Sequence, residues 1–198
     1  RKEVEVLSTL WPGTISAFGS RATERSFYSF SAAGELVHIA CHGFFHPSNP
    51  WRSKLFLAPE GEYDGLVEAW ELLRLDLRGA RLVTLSGCET GVLSDREGDD
   101  VIGLPRSFLL AGTESIVASL WPVEDRATSV LMRVFYRELA KGETVPCALR
   151  KAKLALKADP ELGKPQNWAS FVVFGSAAKI QTLGQKTNDT LGVKNIGR

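Results

Sequence analysis

The sequence predicts an α/β fold, a layered domain whose mostly parallel central sheet is flanked by helices. Two observations predict it. Four short apolar runs, Leu36 to Ala40, Arg81 to Ser86, Ile116 to Trp121 and Phe171 to Phe174, are near-continuous instead of alternating. Strands covered on both faces read that way, so these are expected as central parallel strands. Between them lie segments whose apolar residues recur at helical spacing, and strand and helix therefore alternate along the chain.

Each helix carries its own punctuation. Arg21 to Ala33 is a weaker helix ending at Gly34, and Glu68 to Leu73 a short one inside the first crossover. Val101, Leu104, Pro105, Phe108 and Leu109 mark a third, with Asp99 or Asp100 expected to cap its start and Gly112 to end it. Ala127, Val130, Leu131, Val134, Phe135 and Leu139 form an amphipathic stripe stopped by Gly142. The last helix is expected from about Val145 to Ala158, with Thr144 as cap, Pro146 in its first turn and Asp159-Pro160 closing it. From Ser176 onward, glycine, lysine, asparagine and threonine follow without periodicity, so residues 1–175 are expected as the folded domain and 176–198 as a flexible carboxy-terminal tail.

Length and composition set the class. The 198 residues suit one domain, and 44% apolar residues suffice for a real core. A net charge of +1, with basic residues interspersed among acids, points to neither nucleic acid nor a membrane surface as partner. No apolar stretch approaches the roughly 20 residues of a membrane span, and the opening residues lack the pattern of a signal peptide. Cys41, Cys88 and Cys147 are few, odd in number and without C-x-x-C spacing, so a reducing compartment is expected, the cytoplasm first. The first residue is Arg1, and the reading is of a fragment of something longer.

Two strand ends carry the chemistry. His42-Gly43 follows the run ending at Ala40, and Cys88 follows the run ending at Ser86, between Gly87 and Glu89. Right-handed crossovers leave the carboxyl ends of parallel strands on one edge, so the imidazole and the thiol should emerge together. That order, at a separation of forty-six residues, is the arrangement expected of a caspase-like cysteine protease. A thiol attacks a carbonyl as thiolate, and the tetrahedral species then needs hydrogen-bond donors for its oxyanion and a proton for the departing amine. Cys88 is the candidate nucleophile, His42 the acid and base, and the backbone N–H groups of Gly43 and Cys88 the candidate oxyanion hole. No cofactor and no metal is called for.

The neighbouring residues have plainer alternatives. Cys41, inside its strand, reads as a core thiol, and Cys147 on a helix face is read the same way. His38 reads as a satisfied core group and His46 as a solvated loop residue. A metal face from His38, His42 and His46 would need a helix, which a strand followed by Gly43-Phe44-Phe45 does not supply. Among Glu89, Asp95, Glu97, Asp99 and Asp100, Asp95 and Asp99 are candidates to attract a basic substrate side chain, against the alternative of solvated charges and a helix cap. Trp121 is a candidate pocket wall on a segment that could pair with substrate backbone, against that of an aromatic closing the sheet edge. Ser86-Gly87-Cys88-Glu89-Thr90-Gly91 does not fit a serine-hydrolase elbow.

These stretches resemble the CHAT family of caspase-like domains, related to separase and often joined to tetratricopeptide repeats in bacteria. The resemblance covers roughly residues 20 to 175. It rests on Gly19-Ser20-Arg21-Ala22-Thr23-Glu24, His38-Ile39-Ala40-Cys41-His42-Gly43, Leu85-Ser86-Gly87-Cys88-Glu89-Thr90-Gly91, Ala118-Ser119-Leu120-Trp121-Pro122-Val123 and Trp168-Ala169-Ser170-Phe171. It implies a caspase-like layered fold, a His42–Cys88 dyad, a protein or peptide substrate and control by attached repeats or a partner protein. Two departures are expected: Gly87 where many members carry alanine, and a truncated amino-terminal part, one strand included. Metacaspases, which are similar, place an aspartate two residues before the nucleophile; here Ser86 stands there and is the candidate substrate-binding group. The expected activity is that of a cysteine endopeptidase; the alternatives are a catalytically silent CHAT-like binding module and a small-molecule hydrolase using Cys88.

Overall fold

A computed structural model describes residues 7–11, 13–86, 103–177 and 192–197. A helical turn α1 (residues 7–10) precedes β1 (Ile15–Phe18), α2 (Glu24–Ala33), β2 (Gly34–Ala40) and β3 (His42–Phe44). Next come β4 (Lys54–Phe56), β5 (Leu66–Glu68), α3 (Ala69–Leu72) and β6 (Leu82–Leu85). Beyond residue 102 follow α4 (Leu104–Leu110), β7 (Ser115–Ser119), α5 (Asp125–Ala140), α6 (Val145–Lys157), α7 (Pro165–Trp168), β8 (Phe171–Gly175) and β9 (Gly192–Gly197).

The main sheet has the order β1-β9-β2-β6-β7-β8. All neighbours are parallel except β7 and β8, which run antiparallel with Ser119 opposite Phe171. The fold is thus the expected mixed α/β layer with a mostly parallel sheet. Phe171–Gly175, expected as a central parallel strand, is instead an antiparallel edge strand. Its apolar run still has a use: Phe171 is buried and Val173 and Phe174 pack against opposite core layers.

Both faces of the sheet are covered, and strand alternation divides the core. Leu36, Leu82, Val117 and Phe171 face Leu131, Phe135, Leu139 and Leu149 of α5 and α6. Val37, Ile39, Val83, Leu85, Ile116 and Ala118 face Phe27, Leu72 and Phe108 of the opposite layer. This is why the central strands read as unbroken apolar runs. Helix ends follow local chemistry: the Thr23 hydroxyl accepts the Ser26 N–H at 3.2 Å, and the Thr144 hydroxyl accepts from Cys147. Gly112, at φ +112° just past α4, takes a backbone conformation that a side chain would strain.

Other expectations differ from the structure or fall outside the described residues. Helix α2 starts at Glu24, because Gly19–Arg21 closes a 3-10 turn first. Helix α4 starts at Leu104 with Gly103 in the cap position and no side-chain cap; Asp99 and Asp100 lie outside the described residues. Cys147 lies on the exposed face of α6, opposite its buried Ala148, Leu149 and Ala152, and is no core thiol. Within the segment read as a tail, residues 192–197 pair along β2 from Gly34↔Gly192 to Ala40↔Gly197 and along β1 from Ile15↔Lys194 to Phe18↔Gly197. Backbone hydrogen bonding to two strands places this segment, which needs no apolar periodicity of its own.

A second, smaller sheet, β3-β4-β5, is antiparallel and extends from the end of β2. The sequence signals none of its strands, since three residues lack room for a period-2 pattern. Its buried row includes Leu55 and Val67, both fully buried. The turn into β5 depends on Gly65, at φ +82°, where an added Cβ would stand 2.6 Å from the Leu57 carbonyl oxygen.

Candidate active site

Strands β2 and β6 are direct neighbours in parallel register, with Leu36↔Leu82, His38↔Thr84 and Ile39↔Leu85. Both therefore point their carboxyl ends to one edge. The ladder continues one step past β6, where the Ser86 N–H donates to the Ile39 carbonyl at 2.9 Å. Cys88, with Asp95 and Asp99, lies outside the described residues, whereas the strand and the Ser86 step that lead to it lie within them.

The chain turns at Cys41, which is buried as expected, and His42 opens β3 with its side chain exposed. A bend from a buried parallel strand into a strand of the half-open antiparallel sheet takes the chain from buried Cys41 to the exposed imidazole of His42. Gly43 follows in the ladder opposite Leu55.

Motifs alone do not reveal the cross-strand neighbours of His42. His42 pairs with Phe56 and Phe56 with Leu66, while Phe44 pairs with Lys54 and Lys54 with Glu68. Strand alternation puts these residues on the face opposite Leu55 and Val67. That face is open: Phe44 is 43% exposed and Phe56 40%. Glu68 is bound there by Lys54 Nζ at 3.3 Å and by the Trp70 indole N–H at 2.6 Å. Burial alone would raise its carboxyl pKa, but those two hydrogen bonds and the charges of Lys54 and Arg52 outweigh it and hold the group below its ordinary range. The signal that could have found this face was the Lys54-Leu55-Phe56 alternation, readable only once β3 and β5 are known to flank it.

The other histidines are occupied. His38 is fully buried, with Nδ1 2.9 Å from the Tyr136 hydroxyl and Nε2 3.2 Å from the Ser86 hydroxyl. It is the satisfied core group the sequence suggested. His46, read as merely solvated, accepts the Asn49 N–H on Nδ1 at 3.0 Å and stands edge-on to Phe44. Among the described residues no cluster of three His, Cys, Asp or Glu side chains could hold a metal ion. Ser86 turns its hydroxyl to His38 and is half-buried. Trp121 lies two residues beyond β7, 37% exposed, with its indole N–H donated to the Gln166 carbonyl at 2.9 Å. The segment leading to it is already partly paired, because the Leu120 N–H donates to the Ser170 carbonyl at 3.0 Å. No helix among the described residues is long and apolar enough to cross a membrane.

Known proteins are similar to this chain in sequence. Tetratricopeptide repeat protein 28 of Homo sapiens is 32% identical over 130 residues, covering 64% of this chain and 5% of that protein. Its Mus musculus counterpart is 30% identical over 208 residues, covering 87% of this chain and 8% of that protein. The chain thus spans less than a tenth of the length of these relatives, and both are mammalian, whereas the resemblance pointed to a bacterial setting. The family model described as CHAT domain matches residues 1–176, which contain the adjacent ends of β2 and β6, and the chain accordingly belongs to the caspase-like CHAT domain family.

Proposed function

We propose that this chain is a cysteine endopeptidase domain acting through His42 and Cys88. The observation that carries the reading is the adjacency of β2 and β6 in parallel register, which brings exposed His42 and the Ser86 segment leading to Cys88 to one edge of the sheet. In the proposed reaction His42 takes the Cys88 proton, and the thiolate sulfur attacks the scissile carbonyl carbon to form a tetrahedral oxyanion, held by the N–H groups of Gly43 and Cys88. Collapse breaks the C–N bond as His42 protonates the departing amine, leaving a thioester. Water, giving a proton to His42, then attacks the thioester; the carboxylic acid leaves and the thiol is restored.

The substrate is a protein or peptide. Ser86, Trp121, Asp95 and Asp99 remain the proposed contacts to it, joined by Phe56 beside His42. The name of the mammalian relatives supports control by tetratricopeptide repeats or a partner protein, and the thiols Cys41 and Cys147 suit a reducing compartment such as the cytoplasm. The test is cleavage of a peptide library by the chain and by the longer protein containing it, with new termini read by mass spectrometry. Termini absent from both Cys88→Ala and His42→Ala variants support the reading; identical termini from all three proteins refute it.

A second reading, a binding module without turnover, is favoured by the open apolar face around Phe44 and Phe56. It predicts a partner retained equally by wild type and Cys88→Ala, with no cleavage by either.

A further inference from the structure

One buried titratable group takes no part in the proposed reaction. His38 sits at the middle of β2 with no exposed surface, and its sequence neighbours Val37 and Ile39 pack into the opposite core layer. Removing an imidazole from water is unfavourable unless its nitrogens are bonded, and an apolar side chain would fill the same position without that cost. What His38 has that an apolar residue lacks is its hydrogen bonding, to Tyr136 and Ser86 among the described residues.

Those bonds form a continuous chain beneath the sheet edge. The Tyr136 hydroxyl, brought by α5, donates to the Thr84 hydroxyl at 2.8 Å. That hydroxyl also lies 2.9 Å from His38 Nδ1, and His38 Nε2 lies 3.2 Å from the Ser86 hydroxyl. His38 and Thr84 are register partners, and strand alternation puts both on the α5 face of the sheet. Tyr136 is itself held edge-on between Trp11, with centroids 5.6 Å apart, and Phe135 at 5.0 Å. The relay is therefore anchored in the core and reaches Ser86 at the sheet edge.

We propose that His38, oriented by Tyr136 and Thr84, is a positioning residue for the dyad, because it fastens Ser86 to the strand that also delivers His42. Two bonds then tie Ser86 to β2: its N–H to the Ile39 carbonyl and its hydroxyl to His38. Cys88 follows Ser86 by two residues and His42 follows Ile39 by three, so both reactive groups take their reference from the same stretch of β2. Small misplacements of a reacting atom cost rate steeply, and a side-chain tether at the exit of β6 restricts that freedom. This inference rests on the cysteine-protease reading above.

The test measures the alkylation rate of Cys88 by iodoacetamide against pH, resolved by peptide mass spectrometry, in a Cys147→Ser background. Wild type, His42→Ala, Ser86→Ala, Ser86→Thr and Tyr136→Phe are compared, with thermal melting to confirm folding. His42→Ala should lose the fast reaction near neutral pH. Ser86→Ala and Tyr136→Phe should fold yet react about tenfold more slowly there, and Ser86→Thr, which keeps the hydroxyl, should recover most of the rate. On a cleaved peptide Tyr136→Phe should lower kcat with KM unchanged. Wild-type rates in Ser86→Ala and Tyr136→Phe, beside a slowed His42→Ala, overturn the positioning role and leave the dyad standing. An unchanged His42→Ala overturns the dyad itself, and the positioning role with it.

Discussion

The two sheets of this molecule handle their side chains in opposite ways. In the main sheet, β6 and β7 are buried at every position, because helices or the smaller sheet cover both faces. In the three-stranded sheet one row is buried and the other open, and the open row carries His42 with Phe56 and Phe44. His38 and His42, four residues apart, fall on the two sides of this divide: one is a fully bonded core group, the other an exposed imidazole. A sheet buried on both faces supplies rigidity and a sheet open on one face supplies access, and the chain passes from one to the other at Cys41.

The sharpest way to break the comparison is through stability. Leu85→Ala in the doubly covered strand should cost about 2–5 kcal/mol, read from urea unfolding, because the cavity has packed walls on every side. Gly65→Ala should destabilise by about 1–3 kcal/mol, since it places a Cβ against the Leu57 carbonyl at a positive φ. Phe56→Ala on the open row should stay within about 1 kcal/mol of wild type while lowering kcat/KM for peptides that cleave. A loss as large as that of Leu85→Ala would mean that the open row is packed after all.

The smallest expected effect is one of pH. Glu68 has its carboxyl held low in the folded chain, so its pairing with Lys54 and Trp70 contributes stability above the ordinary carboxylate pKa, and that contribution is lost as pH falls through the lowered one. Glu68→Gln keeps an acceptor for the Trp70 indole but removes the charge. Its melting temperature should lie slightly below wild type at pH 7 and converge with it in acid. A gap that persists unchanged at low pH would assign the loss to packing instead.

Legibility in the sequence followed the range of the forces involved. Strands β2, β6 and β7 were readable as apolar runs, and α5 and α6 as stripes bounded by Thr144, Gly142 and Asp159, because burial on two faces and helix capping act within a few residues. Strands β3, β4 and β5 were not, because three residues cannot show a period. The antiparallel direction of β8 was also hidden, since an apolar run records burial and not polarity. His38 read as a bonded core residue, but the identity of its partners depended on Tyr136, ninety-eight positions away.

By itself the sequence determined the α/β class, the family resemblance through its separated motifs, and the placement of His42 just beyond a central strand. Tertiary structure alone decided that residues 192–197 complete the sheet between β1 and β2, that His42 shares an open row with Phe56, and that Ser86 is bound to His38. The first group rests on hydrophobic periodicity and local backbone chemistry, which the order of residues encodes directly. The second rests on pairing between segments distant in the chain, where register and neighbour are set by how the layers pack together.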